Sequence, residues 1–149
     1  EKILLDFKLN DYLISFIKEK TDHNDMYVHT LKQELGLRAY EEIFNINAIE
    51  FYEKQFKNNN LDLTNVKLPD KVIINSLYKK EEKNSDLERI LNYSRIFIYL
   101  SKPIFSKNNK YCIIGFSNGV KNGMTGGINI YKKDKGKWFF YKYIDGWIS

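Results

Sequence analysis

One cysteine, two histidines, two prolines and three arginines stand in a chain of 149 residues. Each scarcity excludes something. A single cysteine, Cys112, cannot close an intrachain disulfide, so the fold has to rest on its core. Cys112 lies in Tyr111-Cys112-Ile113-Ile114, an apolar strand-like run, and reads as a small buried hydrophobe, because a reactive thiol needs exposure and electropositive neighbours. The two histidines, His23 and His29, match no metal-ligand spacing, and neither lies near Cys112 in sequence to suggest a nucleophile pair. No Gly-x-Ser-x-Gly elbow occurs. No apolar run approaches the roughly 18 residues that a membrane-spanning helix needs. The expectation is therefore no metal, no cofactor and no transmembrane segment.

The shortage of arginine matters because the net charge is +5. Residues 102–149 carry nine lysines against Asp134 and Asp145, a net of +7, while residues 1–101 come to −2. Basic sites that grip phosphate or guanine favour the planar guanidinium fork, yet the only arginines are Arg38, Arg89 and Arg95. Lys, Asn, Ile, Tyr and Phe are abundant together, as AT-rich coding would produce. The basic third reads as a solvated surface, with no specific nucleic-acid binding expected.

What the chain has in quantity is aromatic side chains: eleven Tyr, ten Phe and two Trp, 15% of residues. A chain of this size buries roughly 68–70% of its unfolded surface, enough to fold without a staple. Residues 2–20 read as helix from the spacing of Ile3, Leu4, Phe7, Leu13, Ile14, Phe16 and Ile17, with a restart at Asn10 or Asp11. Thr30 and Gln33 fit a capping box, and Gly36 weakens the helix that would follow. Asn47 to Glu50 opens a helix with Ile46, Ile49, Tyr52 and Phe56 on one face. Lys71 to Tyr78 reads as a first strand, Lys79 to Asp86 as a charged loop, and Leu87 to Asn92 as a short helix capped by Asp86. From Arg95 the hydrophobic period becomes two, giving strands up to Leu100, over 111–116, 127–132 and 138–144. Lys107 to Lys110 and Asp134 to Lys137 are turn signals. Short gaps favour an antiparallel meander. The chain thus reads as a single α+β domain, helical over about 1–70 and sheet over about 71–149. Its N-terminal helices should pack on a four- or five-stranded antiparallel sheet.

Two segments are candidates for contact with a ligand or partner. Asn118 to Gly127 reads as a long glycine-rich hairpin loop, offering Asn118, Lys121 and Asn122; it matches neither the dinucleotide nor the P-loop pattern. Trp138 to Ile144 is aromatic on both faces, with Trp138, Phe140 and Ile144 on one and Phe139, Tyr141 and Tyr143 on the other. Such a strand is expected to be central, with Trp138 in the core. The alternative is an exposed platform offering Tyr141 and Tyr143.

The series Leu100-Ser101-Lys102-Pro103-Ile104-Phe105-Ser106-Lys107, Tyr111-Cys112-Ile113-Ile114, Gly126-Gly127-Ile128-Asn129-Ile130-Tyr131, Gly136-Lys137-Trp138 and Trp147-Ile148-Ser149 resembles small uncharacterised secreted or lipoprotein-type proteins of Bacteroidetes-like bacteria. The resemblance covers about residues 95–149. It implies an extracytoplasmic accessory protein, periplasmic or lipid-anchored, and Glu1 in the place of an initiating Met agrees with a removed leader. The function expected from all of this is non-enzymatic binding of a protein or glycan. An immunity-type inhibitor of a bacterial toxin, and a hydrolase whose site is assembled only in three dimensions, are the other readings.

Overall fold

The structure, a computed structural model, describes residues 2–7, 9–22, 26–58, 65–74, 94–120 and 122–148. The expected loop at 79–86 and helix at 87–92 lie outside the described residues, as does the second half of the first expected strand, of which Val72–Ile74 is seen.

The chain opens with a strand, β1 (Lys2–Asp6), where periodicity suggests helix. Four helices follow: α1 (Asn10–Thr21), α2 (Val28–Leu35), α3 (Leu37–Ile43) and, after a 3-10 turn at Ile46–Ala48, α4 (Ile49–Asn58). The remaining strands are β2 (Val72–Ile74), β3 (Ser94–Leu100), β4 (Ile104–Phe105), β5 (Tyr111–Val120), β6 (Gly123–Asp134) and β7 (Lys137–Ile148). They form one sheet in the order β2-β1-β3-β5-β6-β7, with β4 paired to β5. The fold is α+β and the sheet mostly antiparallel, but it is not a pure meander. β1 runs parallel to both β2 and β3, with Leu5 opposite Ile74 on one side and Ile98 on the other. A strand held between two neighbours in a parallel arrangement reads as an unbroken apolar run, here Ile3-Leu4-Leu5, and such a run does not differ from a helix segment in its periodicity.

The helix boundaries follow local chemistry. Asn10 starts α1, yet its side chain does not cap it; Asn10 Oδ1 accepts from the Lys102 N–H at 2.8 Å and ties the helix to the chain leaving β3. Thr30 lies inside α2, which begins two residues earlier and has no side-chain cap, so the expected capping box does not form. Gly36, at φ +84°, separates α2 from α3, a backbone conformation that costs glycine little. Asn109 (φ +57°) and Lys135-Gly136 (φ +48° and +77°) turn the chain where the two turn signals lie.

The core lies between the helices and one face of the sheet. Leu13, Ile17, Leu35, Ile43 and Tyr52 from the helices meet Ile104, Ile113, Ile128 and Ile130, all nearly or wholly buried. Backbone-directed hydrogen bonds fix how the two layers sit. Gln55 on α4 pairs with both backbone groups of Phe105, donating to its carbonyl and accepting from its N–H, each at 2.8 Å. Tyr40 and Tyr52 donate from buried hydroxyls to the carbonyls of Lys20 and Ile43. Ser101 Oγ, fully buried, accepts from the Gly115 N–H at 2.7 Å. Burial pushes the Tyr52 hydroxyl pKa well above the ordinary tyrosine range, with Glu42 adding to the effect.

Candidate functional site

The expected long glycine loop is almost entirely strand. β5 runs to Val120 and β6 starts at Gly123, paired residue by residue, so only 121–122 connect them. Asn118 is exposed, and its Oδ1 accepts from the Thr125 hydroxyl across the ladder at 3.1 Å. Asn122 is exposed in the turn, and Lys121 lies outside the described residues. The glycines serve the close approach of strands: a Cβ on Gly127 would run into the Ile144 carbonyl, and one on Gly146 into the Tyr12 hydroxyl.

The aromatic strand is not central. Among the described residues β7 pairs with β6 alone and forms one edge of the sheet. Its exposed aromatic side chains are Phe140 at 60%, Phe139 at 54%, Tyr143 at 41% and Trp138 at 37%, so Trp138 is not a core residue. The expected division of its faces also fails, because the β6–β7 register shifts between Ile130 and Tyr131 and again between Gly126 and Gly127. The first shift leaves Tyr141 as the extra residue of a bulge. Below it, Phe140 opposes Tyr131 and Trp138 opposes Lys133; above it, Ile144 opposes the buried Ile128. Trp138 and Phe140 therefore share the sheet face that points away from the helices, while Ile144 enters the core. Tyr141 and Tyr143, expected on one face, are likewise parted. Tyr141 turns to the helices, where its hydroxyl donates to the Leu35 carbonyl at 2.6 Å and its ring leans on Tyr111. Tyr143 opposes Asn129 on the open face.

On that open face the aromatic groups support one another. The Trp138 ring lies 5.5 Å from Phe105, with the Lys133 ammonium 5.3 Å above it. Phe140 meets Tyr131 edge to face at 5.9 Å. Cys112 lies between Phe105 and Tyr131 in the ladder and is buried; burial pushes its thiol pKa up to about 12. A thiol so disposed stays protonated at neutral pH and packs rather than reacts.

A cleft of about 700 Å³ lies between α1, α2 and the end of β7, bordered by Tyr143 and Gly146 at the sheet edge. Lys20 forms part of its wall, only 9% exposed, with Nζ 3.0 Å from Glu19 and held near the Phe16 and Tyr27 rings. Among the candidates read from sequence, Tyr143 alone borders this cleft, while Asn118 and Asn122 belong to the β5–β6 hairpin end. His29 is exposed and bonds the Gln33 side chain; His23 lies outside the described residues, among which no three His, Cys, Asp or Glu side chains gather as a metal set. Among those residues too, no helix is long and apolar enough to cross a membrane. No protein-family model matches the chain, and no curated protein or solved structure matches it.

Proposed function

We propose that this chain is a protein-binding accessory module, and that its contact surface is the open face of the β6–β7 hairpin. The observation that supports this reading is the row of exposed aromatic side chains on an edge strand, Trp138, Phe140 and Tyr143, lying on one face of an ordered sheet. Large aromatic groups left in water are costly to leave uncovered, and a contiguous patch of them is the usual mark of a contact surface. Tyr and Trp also dominate the energetics of protein interfaces, since they bury much area while losing few rotamers. The cleft beside α1 and α2 adjoins that surface at Tyr143. The extracytoplasmic setting is part of the proposal and rests on the resemblance of residues 95–149 alone.

The test is selection of binding peptides from a randomised display library against the purified chain, followed by affinity measurement on surface variants. Phe140→Ser and Tyr143→Ser together should weaken the selected binders at least tenfold while the melting temperature stays within a few degrees of the parent. Binders that ignore both substitutions would place the contact surface elsewhere and end this reading.

A further inference from the structure

The charge around the aromatic row says what kind of partner it takes. The turn before β5 carries Lys107 and Lys110, the end of β6 carries Lys133 on the open face, and the hairpin tip carries Lys135; Lys132, whose ammonium lies over the Tyr141 ring, and Lys137, which alternates with Trp138, lie on the helix-facing side. The fold brings these together at one end of the sheet, since Tyr111 opposes Lys132 and the Lys133 N–H donates to the Lys110 carbonyl. Against the four lysines Lys107, Lys110, Lys133 and Lys135, the described segments of this end carry one carboxylate of their own, Asp134, and Glu42 reaches in from α3 to accept from the Asn108 N–H. None of these four lysines is in an ion pair among the described residues. We infer that the aromatic row with its lysine rim docks an acidic protein surface, one that carries Asp and Glu around an apolar centre. The inference rests on the protein-binding reading above and adds the partner's chemistry to it.

Two features favour this partner over other anionic ones. A bilayer would be entered by a hairpin tip, and this tip is Asp134-Lys135-Gly136-Lys137, polar throughout, while the aromatic rings pack against Phe105 and Tyr131 away from the tip. Nucleic acid is gripped best by the arginine fork, and every cation of the rim is lysine. Docking should also use side chains rather than strand addition. The two register shifts and the charged Lys137 and Lys142 are the devices that blunt a sheet edge against a further strand. A lysine rim around such a patch speeds and orients encounter with an opposite charge.

The experiment uses the same display selection, now read for composition and charge. Enrichment of Asp and Glu beside aromatic or aliphatic residues is the expected result. One selected peptide is then measured against Lys110→Glu/Lys133→Glu and against the unaltered chain, at low and at physiological salt. Its affinity should fall at least tenfold in the charge-reversed protein and fall with salt in the parent, with the far-ultraviolet circular dichroism and melting temperature of the two proteins alike. Selected peptides that are neutral or basic, yet still need Phe140 and Tyr143, would leave the binding module standing and overturn the acidic partner. Failure to select any peptide, with tighter binding to phosphatidylglycerol vesicles or to duplex DNA, would overturn both.

Discussion

Two residues with similar sequence credentials have opposite roles, and substitution separates them. Trp138 leans on Phe105 from an exposed edge, so Trp138→Ala removes only part of a buried contact and should cost about 1–2 kcal/mol. Ile113 is fully buried between the helices and the sheet, so Ile113→Ala should cost about 2–5 kcal/mol. Urea unfolding of both variants under one condition checks the order; an equal loss would mean that Trp138 is core after all. Tyr141→Phe deletes the hydroxyl that donates to the Leu35 carbonyl and leaves the ring in place, for an expected loss of about 1 kcal/mol with no change in partner affinity. The burial of Cys112 was legible in its sequence neighbours, since Tyr111 and Ile113 flank it in a strand. The separation of Tyr141 from Tyr143 was not, because a bulge reverses which side of a strand a residue faces and leaves no mark in hydrophobic period.

At the scale of elements, the sequence reading succeeds where one face of a segment is buried and the other wet. Leu13, Ile14, Phe16 and Ile17 on α1, and Ile49 and Tyr52 on α4, are buried as their spacing implies. It fails at β1, which is apolar in consecutive positions, and at β7, whose aromatic content suggests a covered strand. The lysines interspersed in β7 were the available signal for an edge. The glycines between 119 and 127 looked like a loop because glycine marks both loops and tight strand contacts; Gly127 is of the second kind. Gly127→Ala would set a Cβ against the Ile144 carbonyl, a backbone atom that cannot rotate away. The ladder between β6 and β7 should separate there, with a stability loss of about 1–3 kcal/mol and faster amide exchange along β7.

For the whole molecule, burial of titratable groups sets a stability limit on the alkaline side. The Cys112 thiol and the Tyr52 hydroxyl both titrate later in the folded protein than in the unfolded chain. Unfolded chains then hold fewer protons than folded ones, so stability is whole below about pH 9 and falls as pH rises toward the folded-state value. Each group contributes at most about 1.4 kcal/mol per pH unit over that range. Denaturation followed from pH 7 to pH 11 should show this decline, and Cys112→Ala should make it shallower; a slope unchanged by that substitution would assign the effect elsewhere. The position of β1 carries a different consequence, one of timing. Residues 2–6 sit between β2 and β3, and their pairing with Ser94 to Tyr99 closes a loop of about ninety residues. β1 leaves the ribosome well before both strands that flank it, a keystone that must wait for about ninety more residues before it can be set. Until then its apolar run stays exposed to other nascent chains, whereas β5, β6 and β7 follow one another closely and pair as soon as they are made.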